Sequence, residues 1–182
     1  MWKYIAIDES NHGRSPEIFV ATYSKSDTDG FIDSKANFPK YRKKHRERGA
    51  RLNGRDYRFI IADKTILNLI PEEVLLGSVV SSFVGYALKK ETLTSPFTLL
   101  IDGEMTSKKI EEIYHRLRND GRIKEREINL ISGGHLDQRN QLVNISDERA
   151  HALYRQPLEK IVGHNRRLIL EIPERLRRKF KI

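Results

Sequence analysis

The chain has 182 residues, no Cys, and 34 Lys and Arg against 25 Asp and Glu, a net charge of +9. Without Cys it has no disulfide framework, thiolate nucleophile or Cys-based zinc site. No apolar run approaches the roughly 20 residues that span a bilayer. The start, Met-Trp-Lys-Tyr, meets acid too soon to be a secretory signal, so a soluble cytoplasmic protein is expected. A pI near 9.7 with clustered positive charge points to a polyanion partner, nucleic acid above all. The bland alternative is a solvated thermophile surface.

Residues 2–8 carry Trp2, Tyr4, Ile5 and Ile7 and read as a strand that ends in Asp8-Glu9-Ser10. The turn formers of Asn11 to Pro16 lead into a β-branched and aromatic run, Glu17 to Tyr23. Together the two strands predict an antiparallel hairpin. Residues 24–30 are polar loop. From Asn37 to Leu52 the chain is basic, with Lys40, Arg42, Lys43, Lys44, His45, Arg46, Arg48 and Arg51 around a lone Tyr41. Without an apolar stripe this stretch is no core helix. It reads as an exposed arm within a basic insertion of about 34–55, with Tyr41 available to stack on a base. Its plain reading is a solvated charge run.

Asp56 to Ala62 predicts a third strand. Pro71-Glu72-Glu73 opens a helix to about residue 90, apolar over most of its circumference and so buried. Phe97 to Ile101 is a continuous apolar strand, suited to a sheet covered on both faces, and it too ends in acid, Asp102-Gly103. A helix over 107–118, a strand over 126–131, a loop over Gly133 to Asp137 and a helix within 139–156 follow. Leu168, Leu170 and Ile172 alternate, which predicts a strand over 165–172. Pro173 ends it, before a basic tail of 173–182. No repeat or low-complexity linker divides the chain, so one domain is expected.

The predicted order is three strands, helix, strand, helix, strand, helix. Three leading strands can meander antiparallel, and each later strand, reached through a helix, pairs parallel by a right-handed crossover. That places the first strand centrally, the fourth beside it, and Asp8 and Asp102 at one sheet edge. Two carboxylates so placed repel unless a cation sits between them. Oxygen ligands without Cys suit Mg²⁺ or Mn²⁺. The plain reading is that both acids only terminate strands.

This α/β pattern, a mixed five-stranded sheet flanked by helices, resembles the ribonuclease H-like superfamily. Ile7-Asp8-Glu9-Ser10 resembles the Asp-Glu opening of ribonuclease HII and the Asp-Glu-Ser opening of an uncharacterised group in the same superfamily. Leu100-Ile101-Asp102-Gly103 resembles the Asp-Gly at the end of the fourth strand, and Asp33-Ser34-Lys35 a tripeptide after the second. The resemblance implies a divalent-metal-dependent nuclease with Asp8, Glu9 and Asp102 in the site. It also implies an acid at or before the last core helix, either Asp137 or Asp147. Asp137 is preferred as metal ligand beside Asp8 and Asp102, with Asp147 kept as a catalytic candidate. Asn11-His12-Gly13-Arg14 holds only part of the Gly-Arg-Gly-type loop that senses a ribose 2′-hydroxyl, so the substrate stays open.

Glu9 projects opposite to Asp8 if the strand continues, and a salt bridge is its plain reading. Asp147 and His151 are spaced i, i+4, more often a solvated pair than a site. His12 and His135 are loop residues able to move a proton, or merely surface. Ser10 lacks a Gly-x-Ser-x-Gly setting for a nucleophile. Arg14, Lys35, Lys40, Tyr41, Arg42, Lys43, Lys44 and Arg46 form the expected nucleic-acid contact set. A non-catalytic nucleic-acid-binding module on the same fold is the alternative, and an interaction scaffold the third reading.

Overall fold

The computed structural model describes residues 1–10, 15–38, 56–119, 123 and 127–182. The expected basic arm, including Lys40 to Arg46, lies outside them, as do Arg14 and His12. Five strands form one sheet in the order β3-β2-β1-β4-β5. They are β1 (Trp2–Ser10), β2 (Glu17–Ser24), β3 (Asp56–Ala62), β4 (Leu93–Asp102) and β5 (Ile128–Gly133). β1 pairs antiparallel with β2, and β2 with β3. β4 runs parallel to both β1 and β5. This is the mixed sheet of a ribonuclease H-like fold, with β1 central.

Helices cover both faces. Alternation along β1 sends Ile5 and Ile7 into the larger core, with Leu99 and Ile101 of β4 beside them. α2 (Glu72–Lys89) supplies Leu75, Val79, Val80, Phe83 and Val84 to that core, and α3 (Ser107–Asn119) adds Ile113 and Leu117. Tyr23 Oη donates to the Phe83 carbonyl at 3.1 Å, which ties β2 to α2. α2 and α3 approach closely at Gly77, where a Cβ would stand 2.9 Å from Glu112 Cγ. Ahead of α2, the short α1 (Lys64–Leu69) is capped by Asp63, which accepts from the Ile66 amide at 3.0 Å.

The opposite face carries α4 (Leu136–Arg139), α5 (Gln141–Tyr154) and α6 (Leu158–Val162). Ala6 and Leu100 meet Leu142 and Val143 there, while Val20 and Phe59 meet Ala150 and Leu153. Asn140 begins α5 by accepting from the Val143 amide at 2.9 Å. Its amide nitrogen donates to the carbonyls of Asp29 and Phe31 at 2.8 and 3.0 Å.

Two expectations are corrected. Residues 133–137 are not all loop, because Gly133 closes β5 and Leu136 opens the helical turn that carries Asp137. Residues 165–172 form no strand: the backbone of the segment bridges to β3 at Phe59, which bonds the Arg166 carbonyl and the Leu168 amide, while the Arg166 side chain reaches Asp56 and Tyr57. It then leaves the sheet, and the Glu171 amide donates to Ser82 Oγ of α2 at 3.1 Å. The alternation of Leu170 and Ile172 marks burial in the α2 core rather than pairing, while Ile169 is exposed. The basic tail forms α7 (Glu174–Phe180). Among the described residues no helix is long and apolar enough to cross a membrane.

Candidate active site

The parallel register sets Ile7 against Ile101, so the next residues, Asp8 near the end of β1 and Asp102 at the end of β4, sit at neighbouring positions. Alternation puts both on the α5 side: Asp8 follows Ala6, and Asp102 follows Leu100, in the cluster with Leu142 and Val143. Asp8 is 4 % exposed, and the Glu9 amide donates to its Oδ1 at 2.7 Å. Burial raises the Asp8 carboxyl well above the usual carboxylate range. The charges of Glu9, Asp147 and Asp102 raise it further, against the opposing hydrogen bond from the Glu9 amide. The adjacency of β1 and β4 that the sequence predicts thus brings the Asp102 charge to bear on Asp8.

Asp147 is the second of the charges that act on Asp8, after Glu9, and α5 brings it there. Ser146 Oγ donates to the Ala6 carbonyl at 3.0 Å and lies 2.9 Å from Thr22 Oγ1, so the helix is pinned to β1 and β2 one residue before Asp147. Arg149 Nη1 donates to the same Thr22 hydroxyl at 3.2 Å, and its guanidinium lies 4.4 Å from the centre of the Tyr57 ring. Asp147 Oδ1 lies 3.2 Å from His151 Nε2, so this i, i+4 pair is real, with the imidazole about one third exposed.

Asp137 is buried in α4, and it meets the site through its backbone: its amide donates to Asp102 Oδ1 at 3.2 Å. The adjoining His135 has a left-handed backbone, φ 63°, and an exposed ring. Glu9 alternates to the α2 side. With Asp102, Glu104 and Lys109 it borders a cavity of about 220 Å³. Lys109 Nζ is paired there with Glu72 Oε1 at 2.6 Å.

The loop bearing Lys35 is tied to the same edge. The Asp33 amide donates to the Arg139 carbonyl at 3.0 Å, and the Phe38 amide to that of Gln138 at 2.9 Å. Lys35 is exposed, and its amide donates to Asp33 Oδ1 at 2.8 Å. Ser10 ends β1. The other expected nucleic-acid contacts, Arg14 and Lys40 to Arg46, lie outside the described residues.

The donor set suits a hard cation, because the grouped side chains are carboxylates and the innermost is destabilised as an anion by its neighbours. Among the described residues, however, no three His, Asp or Glu side chains are gathered closely enough to hold an ion. Binding would therefore draw the carboxylates together. The sequence does not single out Ser146, Thr22 and Arg149. Their signal, polar residues on a helix turned towards a sheet, becomes readable only once the orientation of α5 is known.

No protein-family model matches the sequence, and no curated protein matches it. Among solved structures, the chain is similar to RNase HII in the structure of the PCNA:RNase HII complex from Archaeoglobus fulgidus. The TM-score is 0.57 at 14 % identity, over 98 % of this chain and 87 % of that one. At that identity the likeness is one of fold, and it agrees with the five-stranded mixed sheet and its flanking helices.

Proposed function

We propose that the protein is a divalent-metal-dependent nuclease, cleaving phosphodiester bonds of nucleic acid. The observation that carries this reading is the register that sets Asp8 beside Asp102 on adjacent parallel strands of a ribonuclease H-like sheet, where the charges of Glu9, Asp147 and Asp102 all raise the buried Asp8 carboxyl. Asp8 and Asp102 are the inner ligands of Mg²⁺ or Mn²⁺. Asp147 completes the set from α5, and Asp137 orients Asp102 through its amide. When bound, the ion supplies Lewis-acid activation of water and neutralises charge on the leaving oxygen. Glu9 borders the adjoining cavity, and His151 holds the Asp147 carboxylate in place. Lys35 and the basic arm contribute phosphate contacts.

The test is cleavage of labelled single-stranded, double-stranded and hybrid substrates with Mg²⁺ or Mn²⁺, comparing Asp8→Asn. Metal-dependent cleavage lost in the variant is expected. No cleavage of any substrate, or equal cleavage by the variant, defeats the reading. The second reading is a nucleic-acid-binding module that does not hydrolyse, supported by the net charge of +9. Binding that survives a chelator, with no hydrolysis and no metal uptake, selects it.

A further inference from the structure

A second cavity, of about 620 Å³, lies between α2, α3 and the segment leading into α7. Ser81, Arg116, Asn119, Glu171 and Arg175 line it, with Ile172 and Pro173 as an apolar wall. It is remote from the carboxylates. α3 starts at Ser107, just beyond Asp102, and the cavity lies at its far end, Asn119. At about 1.5 Å per residue the helix separates the two by roughly 20 Å.

Arg116 sets this cavity apart. It is 5 % exposed, and its Nε donates to Glu112 Oε1 at 2.6 Å. Its Nη2 is buried and, among the described residues, meets no acceptor. Glu112 meets the charge of this guanidinium, and the buried Nη2 is left as an unsatisfied donor that an oxygen acceptor would complete. More donors gather beside it. Arg175 Nη2 and Asn119 Nδ2 lie 2.8 and 3.0 Å from one atom, His115 Nε2. An Arg N–H can only donate, so His115 Nε2 accepts from Arg175. Each donor group keeps further N–H bonds. Glu171, the acid among the described lining residues, is engaged by Lys89 at 3.1 Å.

Donors from two separate elements, α3 and α7, two of them guanidinium, suit a tetrahedral oxyanion better than a planar carboxylate. We propose that this cavity binds a phosphate group, as inorganic phosphate or as that of a mononucleotide, anchored by Arg116 and Arg175. The site is independent of the nuclease reading and survives its failure.

The test is calorimetric titration of the full chain, in chelator, with inorganic phosphate, a nucleoside 5′-monophosphate and the same nucleoside without phosphate. The Asp8→Asn protein serves as a parallel sample. Saturable binding of a phosphate-bearing probe with Kd of about 1 mM or tighter is expected, unchanged by Asp8→Asn. Tighter binding of the monophosphate identifies a nucleotide site, and equal binding a site for free phosphate. Arg175→Gln, at an exposed position, should weaken binding at least about fivefold while the melting temperature holds. Arg116→Met should abolish it. No saturable binding of either phosphate-bearing probe, wild-type affinity in Arg175→Gln, or equal binding of the bare nucleoside overturns the proposal.

Discussion

Asp8 is where stability and chemistry oppose one another. Its carboxyl is buried beside three other acids and titrates above the unfolded value of 3.8. A group that holds its proton more tightly when folded contributes stability at low pH, and that contribution is lost as pH rises through the folded value. The metal-free protein should therefore lose stability from this group as pH climbs from about 4 towards neutrality. Asp8→Asn should raise the melting temperature of the metal-free protein at pH 7 and flatten this part of the pH profile. A variant that melts lower than wild type at pH 7 would contradict the account of the site. The same substitution should cut cleavage at least about a hundredfold. Asp147→Asn should cost as much, and Asp137→Asn less than about tenfold, because Asp137 contacts Asp102 through a backbone amide that the substitution keeps. Equal losses at the two positions in a cleavage assay would make Asp137 a ligand.

At the scale of elements, α5 decides the site. Ser146 is fully buried and bonds across to β1 and β2. Ser146→Ala should destabilise by about 1–3 kcal/mol in chemical denaturation and lower cleavage by loosening the seat of Asp147. Unchanged stability would show that the helix is held by its apolar side alone. On the other face, Phe83→Ala should cost about 3–5 kcal/mol, since the side chain is enclosed between α2 and the sheet.

Apolar runs ending in acid made β1 and β4 legible, and their adjacency followed from connection rules. The composition of α2 likewise announced its burial. The approach of Asp147 was less legible, since it depends on how Ser146, Thr22 and Arg149 meet across more than a hundred positions. The tail misled for a related reason. Alternating Leu168, Leu170 and Ile172 imitate a strand, but Leu170 and Ile172 bury in the α2 core while Ile169 stays exposed.

Across the whole molecule, a net charge of +9 predicts association with nucleic acid through phosphate neutralisation. Affinity should fall at least about tenfold between 50 and 200 mM salt, in a filter-binding or anisotropy titration. Affinity flat with salt would exclude that mode. The basic residues of 39–55 and the exposed Lys35 are the first places to neutralise, and each Lys or Arg lost from a phosphate contact should reduce the salt slope by about one. The central claim is narrower: Asp8 and Asp102, at neighbouring positions of adjacent strands, share a divalent ion. Anomalous diffraction from a crystal soaked in Mn²⁺ tests it most directly. The account predicts a peak within about 2.5 Å of carboxylate oxygens from both aspartates. A soak that leaves this edge without a peak, or a peak bound by neither aspartate, would contradict it.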